Sequence, residues 1–259
     1  MGILDGRVVV VSGIGPGLGA AIALQSARAG AAVVLAARTP ERLEKVAAAV
    51  HEIGGTATVV PTDITDDDSA QNLLDRTLEE HGRVDALVNN AFVMPPIEPV
   101  SGADFDAIRS GFETNVLGSL RMSKVFVTAL EETHGSIVMI NSAVLRHSTP
   151  TFGAYKMGKA ALLAMSQTLA SEVGPRGVRV NTVAPGYIYA DSLKWYFDHL
   201  AHERGATHQA VYDETAAACD LRRLPVPEEI ADAVVFLASD MARGITGQCL
   251  DVNCGEYHH

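Results

Sequence analysis

The sequence predicts an α/β fold, a single domain built on a doubly wound, seven-stranded parallel sheet with helices on both faces. Three observations predict it. Seven short runs rich in valine and isoleucine recur along the chain. They show so little polar alternation that each reads as a strand buried on both faces, as in a parallel sheet covered by helices. Alanine-rich helical stretches lie between them in the order β-α-β-α from the first residues onward, which calls for right-handed crossovers. At 259 residues the chain is long enough to bury a full core, and no linker divides it, so one domain is expected over residues 1–259.

The elements follow in order. "RVVVVS" (7–12) is the first strand and "AAVVLAA" (31–37) the second, followed by a helix from Pro40 to Ile53. "TATVVP" (56–61) leads to a helix from Asp66 to His81. "DALVNN" (85–90) and "SIVMIN" (136–141) are the next strands, then a helix from Ala154 to Val173, "VRVNTV" (178–183) and "QCLDVN" (248–253). One region breaks the rhythm: residues 187–224 contain no strand, and an insertion there is expected to serve as a lid.

Composition excludes several classes. A net charge of -11 would repel a phosphate backbone, and the few basic pairs, such as Arg222-Arg223, form no stripe, so nucleic acid is not an expected partner. No segment is both long and free of charge as a membrane span requires, and a soluble, cytoplasmic chain is expected. Cys219, Cys249 and Cys254 lack zinc-site spacing and read as reduced thiols. His199 and His202 have no third ligand placed by spacing, so no metal is expected.

Directly after the first strand comes "SGIGPGLG". Gly13, Gly15, Gly17 and Gly19 let the backbone turn sharply and approach a ligand without Cβ interference, and the following helix points free N–H groups at an anion. That is a pyrophosphate cradle in a Rossmann-like position, although Leu18 stands where the G-x-G-x-x-G pattern has its last glycine. The second strand ends in Ala37-Arg38 rather than in an acidic residue for a ribose 2′-hydroxyl. A guanidinium suits a 2′-phosphate, so NADP(H) is favoured over NAD(H). Pro16 stands where some NADP-binding chains carry a second basic residue. Asp63, after the third strand, reads equally as an acceptor for the adenine amino group and as the N-cap of the next helix.

Tyr155 and Lys159 lie four apart, on one face of a helix, whereas Lys156 projects about 100° away. An ammonium beside a phenol favours the phenolate, and lowering the pKa by two or three units from about 10 would make Tyr155 an acid and base usable near neutrality. Ser142 follows the strand "SIVMIN", at the end where open α/β sheets bind ligands, and its hydroxyl suits a carbonyl oxygen that Tyr155 protonates.

With these residues the sequence resembles the short-chain dehydrogenase/reductase family in its short single-domain form. The family's T-G-x-x-x-G-x-G is "SGIGPGLG" here, N-N-A-G is "NNAF" (89–92), and the central-helix asparagine is Asn115 in "ETNVLGSL". Ser142 and Y-x-x-x-K follow, then "NTVAPG" (181–186) and "ITGQ" (245–248). The resemblance runs from about residue 5 to 252 and implies a catalytic set of Asn115, Ser142, Tyr155 and Lys159. Tyr155 would be the general acid in carbonyl reduction and the base in alcohol oxidation. Lys159 would lower its pKa and bond the nicotinamide ribose, Ser142 would polarise the substrate oxygen, and Asn115 would hold a water through a backbone kink. Cofactor contacts are expected from Ser12, Gly13, Gly17, Leu18, Gly19, Arg38, Asp63, Ile64, Asn89, Tyr155, Lys159, Pro185, Gly186 and Ile188, with Asn89 beside the adenosine ribose and Ile188 at the carboxamide.

The chain departs from the family at Phe92, which replaces the glycine of N-N-A-G, and at Ala190, where a threonine is frequent. Six of the fourteen aromatic residues fall between 187 and 212. They read equally as walls for a bulky apolar substrate, such as a 3-oxoacyl thioester, steroid, terpenoid or aromatic alcohol, and as a helical pair packing on itself or on a neighbouring subunit. Phe92, Val144, His147, Tyr187 and Trp195 are the expected substrate-pocket residues. The resemblance also implies a homo-oligomer, tetramer or dimer. The readings that compete with an NADP(H)-dependent enzyme are an NAD-dependent alcohol dehydrogenase of the same fold and a catalytically silent nucleotide sensor.

Overall fold

The computed structural model describes residues 2–258. All seven expected runs form strands: β1 (Val8–Ser12), β2 (Ala32–Ala37), β3 (Thr56–Pro61), β4 (Ala86–Asn89), β5 (Ser136–Ile140), β6 (Arg179–Pro185) and β7 (Cys249–Val252). They make one parallel sheet in the order β3-β2-β1-β4-β5-β6-β7. Chain order reverses between β1 and β4, which pair directly with Ser12 opposite Asn89. Such a switch point opens a crevice at the carboxyl ends of the strands.

The helices are α1 (Leu18–Arg28), α2 (Pro40–Glu52), α3 (Asp67–His81), α4 (Phe105–Phe112), α5 (Ser119–Thr133), α6 (Gly153–Val173), α7 (Asp191–Arg204), α8 (His208–Ala216) and α9 (Pro227–Ala238). The three helices expected from periodicity begin and end within one residue of the observed bounds. Asp66 caps α3, its side chain accepting from the Ser69 N–H at 2.7 Å, and Gly82 ends it in the left-handed region at φ 71°.

Successive strand residues point to opposite faces, which divides the core in two. Val9, Val11, Val33 and Leu35 pack with α1, α2 and α9, and Val8, Val10 and Val34 with α3, α5 and α6. The strandless stretch forms α7 and α8, which enclose a small separate core of Phe197, Ala201, Val211, Ala216, Cys219 and Leu224. Among the described residues no helix is long and apolar enough to cross a membrane.

Candidate active site

A cleft of about 610 Å³ runs across the carboxyl ends of the strands, from the glycine turn to Tyr155 and Lys159. At two of its glycines the turn is held so close to its neighbours that a side chain is excluded. A Cβ on Gly13, which sits at φ +94°, would lie 2.3 Å from the Ala91 nitrogen, and one on Gly19 would lie 2.4 Å from the Gly13 oxygen. Gly15 and Gly17 face open space, and α1 starts after Gly17 without a side-chain cap. The hydroxyl of Ser12, which also lines the cleft, is buried and has no hydrogen-bond partner among the described residues. Uncapped N–H groups, an unpartnered hydroxyl and bare Cα atoms together make a cradle for an anion.

At the other end, α6 carries Tyr155 and Lys159 on successive turns facing the end of β5. Asn141 donates its side-chain N–H to the Lys159 carbonyl (3.0 Å), and Lys159 Nζ donates to the Ile140 carbonyl (2.8 Å), so helix and strand are tied at this point. Ser142 opens the 3₁₀ turn Ala143–Arg146, its hydroxyl accepting from the Val144 N–H at 3.2 Å, and it hydrogen-bonds Tyr155. Lys159 Nζ stands 5.9 Å from the centre of the Tyr155 ring. Burial draws Lys159 down to about 7 and pushes Tyr155 above its ordinary value, the Ser142 bond opposing the latter. The expectation that Lys159 lowers the phenol is therefore overridden in this structure by desolvation, which disfavours a charge on either group.

Residues Glu113–Gly118 form a π-helical segment between α4 and α5, and this segment contains Asn115. Its side chain is buried and makes a two-point contact with Val93, Oδ1 accepting from the N–H and Nδ2 donating to the carbonyl, each at 2.8 Å. Wide turns of this type recur at functional sites.

The family model described as Enoyl-(Acyl carrier protein) reductase matches residues 13–257. An uncharacterized oxidoreductase of Methylorubrum extorquens is 37% identical over 258 residues, covering 98% of this chain and 99% of the relative. The cis-4-hydroxycyclohexanecarboxylate dehydrogenase of Sinomonas cyclohexanicum is 35% identical, covering 96% of each chain. A solved 7 alpha-hydroxysteroid dehydrogenase in complex with NADH and 7-oxo glycochenodeoxycholic acid superposes with a TM-score of 0.87 at 30% identity, over 97% of this chain and 94% of that one. The chain belongs to the short-chain dehydrogenase/reductase family.

In this short-chain dehydrogenase/reductase the cleft brings together Ser12, Gly13, Gly17, Leu18, Gly19, Arg38, Asp63, Ile64, Ser142, Tyr155, Lys159, Pro185, Gly186 and Ile188. Asn89 is not among them. As the last residue of β4 it turns toward α5, where its side chain lies 3.2 Å from the Ser123 hydroxyl. Asn90, one residue past the strand, lines the cleft instead and donates to the Gly13 carbonyl at 2.7 Å. Asp63 is not a helix cap, since Asp66 fills that place. It lines the cleft with Oδ1 held by the Thr65 N–H and hydroxyl, bonds that lower its pKa. Arg42, which the sequence reading passed over, lines the cleft with Arg38, and both are exposed. The spacing of four residues from Arg38 to Arg42 across the start of α2 was the available signal.

The five expected substrate-pocket residues separate. Phe92 lines the cleft. Val144 is buried within the 3₁₀ turn, His147 stacks on Tyr257 with ring centroids 5.0 Å apart, and Trp195 is exposed and stacks on His199. Tyr187 faces a second cavity of about 280 Å³ together with Tyr196, Phe197 and Glu256. Phe197 and Tyr212 each pack on Tyr189, so half of the aromatic cluster serves the small core of the α7–α8 pair. Glu256 and Tyr257 were missed because they belong to a tail with no periodicity. A Cβ on cleft-lining Gly186 would lie 2.7 Å from Glu256 Oε2, which places the tail against the cleft.

Proposed function

We propose that this enzyme interconverts a secondary alcohol and a ketone on an apolar substrate with NADP(H). The reading is carried by the gathering of Ser142, Tyr155 and Lys159 at one end of a cleft whose other end is an anion cradle. The nicotinamide cofactor, when bound, supplies or accepts the hydride. In reduction, Ser142 donates a hydrogen bond to the carbonyl oxygen and Tyr155 delivers the proton to that oxygen; in oxidation Tyr155 removes it. Lys159 supplies positive charge beside the phenol, which the developing phenolate strengthens through mutual attraction.

The glycine turn and Ser12 suit the pyrophosphate, and Asp63 and Asn90 lie along the adenosine side. Arg38 and Arg42 support a 2′-phosphate, since neither has a salt-bridge or side-chain hydrogen-bond partner among the described residues and Arg42 adds the second cation absent at Pro16. The NAD(H) reading is favoured by the NADH in the solved hydroxysteroid dehydrogenase. A bulky substrate is supported by Phe92, Val93 and Ile188 in the cleft and by the second aromatic-lined cavity. A further copy of this chain is the macromolecular partner we infer, with Leu117, Leu120 and Met157 exposed on the central helices.

Nicotinamide absorbance followed with a panel of cyclic and aromatic ketones and alcohols tests the reading. Tyr155→Phe should reduce turnover by at least about 100-fold with cofactor affinity nearly unchanged. Arg38→Asp should weaken NADP(H) by about tenfold or more and leave NAD(H) little affected. Full activity in the tyrosine variant, or NAD(H) preferred by the parent with no response to Arg38→Asp, overturns the corresponding assignment.

A further inference from the structure

Phe92 stands at the glycine of the N-N-A-G pattern that this sequence resembles, and its ring is placed by a strap that is pinned at both ends. Residues 90–93 follow β4 and line the cleft. Asn90 fixes one end through its 2.7 Å bond to the Gly13 carbonyl, and Asn115 fixes the other through its two 2.8 Å bonds to Val93. Between the pins the Phe92 ring lies 4.9 Å from Lys159 Nζ and 5.4 Å from the Tyr155 ring, tilted 58° to it. An ammonium within about 6 Å of a ring centre is attracted by the negative face of the ring.

Lys159 needs such a partner. It is 4% exposed, and the Ile140 carbonyl is the one hydrogen-bond acceptor for its three N–H groups among the described residues. Among the described residues no carboxylate pairs with it, burial draws the amine down, and on its own helix the neighbouring titratable group is Tyr155. We propose that Phe92 is a positioning residue, whose ring face holds the Lys159 ammonium beneath Tyr155 and takes the place of the counter-charge that this site lacks. The inference rests on the assignment of Tyr155 and Lys159 to proton transfer, and it adds a residue that acts on the pair without touching the reacting atoms. It also gives Asn115 a definite task, since its side chain sets where the ring hangs.

Lys159 can be read directly in the protein without cofactor, by NMR titration of chain labelled with ¹³C at lysine Cε, its signal assigned by loss in Lys159→Arg. Phe92→Leu keeps bulk over the site and removes the ring face. The expected result is a Lys159 midpoint lowered by about half to one pH unit, as a contact of ordinary cation–π strength implies. Phe92→Tyr, which retains the face, should titrate as the parent does. Phe92→Met repeats the first comparison with a flexible side chain should the leucine variant fold poorly. A Lys159 midpoint unchanged or raised in Phe92→Leu and Phe92→Met overturns the proposal, as does a fall in Phe92→Tyr as large as in Phe92→Leu. The titration involves no turnover, so an enzyme that reduced no ketone would refute the functional reading and leave this result standing.

Discussion

Lys159 carries an electrostatic cost that the site imposes on the fold. Its amine titrates near 7 when folded against an ordinary value of 10.5, so between those values the unfolded chain binds a proton that the folded chain does not. Stability then rises with pH across that window, by at most about 1.4 kcal/mol per pH unit for one proton, and the full penalty is present below about 7. Lys159→Met removes the buried charge at similar length. Urea denaturation of the two proteins should show the methionine variant more stable at pH 6 to 7, with the gap closing as the pH approaches 10. A gap independent of pH would mean that the amine keeps its ordinary pKa. The candidate catalytic residues were legible at this scale because chemistry dictates their spacing: a helix brings positions four apart together, and a strand end opens toward the ligand. The direction of the Tyr155 shift was not legible, since it depends on burial that no spacing reports.

The π-helical segment shows how an element can place a residue on another element. An α-helical Glu113–Gly118 would carry one residue fewer per wide turn, and Asn115 would face a different direction; the wide turn aims its amide at the backbone of Val93. Replacing Asn115 by leucine keeps volume but leaves the Val93 N–H and carbonyl without their partners. The cost should be about 1 to 3 kcal/mol, that of two lost bonds, since Val93 is exposed and water can partly replace the missing amide. Equilibrium urea unfolding measures it, and a loss under about 0.5 kcal/mol would show that the strap is held by other contacts. The family resemblance implied a backbone kink at Asn115, but its form as a wide turn was not legible, because six residues are too few for apolar spacing to tell it from a 3.6-residue period. The α7–α8 pair was left between two readings for a related reason. Its aromatic content was plain, yet direction within a short helical hairpin depends on tertiary packing, which turns Tyr189, Phe197 and Tyr212 inward and leaves Trp195 in solvent. That Asn90 and not Asn89 lines the cleft could have been read, since successive residues at a strand end alternate in direction.

Across the whole molecule the two rims of the sheet do different work. At the carboxyl rim bare glycines, an unpartnered hydroxyl and a desolvated lysine leave interactions unmade for a ligand to complete. At the amino rim charges are satisfied. Asp85, 2% exposed, enters β4 and accepts from the Val8 N–H at 2.9 Å, from Arg7 at 3.0 Å, and from Arg83 at 2.9 and 2.7 Å. Arg7 continues to Asp240 after α9, and Arg179 of β6 donates to the Leu237 and Ser239 carbonyls, so β1, β4, β6 and α9 share one network. The seven strands were legible from their apolar runs, but this network was not, since its members lie far apart in sequence. Asp85→Asn keeps shape and an acceptor for Val8 while leaving two guanidinium groups without their shared charge. Because Arg83 is 46% exposed and water screens part of the loss, the cost should be near 2 kcal/mol rather than the 3 to 5 of a fully buried pair. The urea midpoint should fall with its slope unchanged, and dinucleotide affinity at the opposite rim should stay within about twofold. A stability loss confined to lower cofactor affinity would place the network in the service of the cleft, and an unchanged midpoint would show that the amino rim is held by the strands alone.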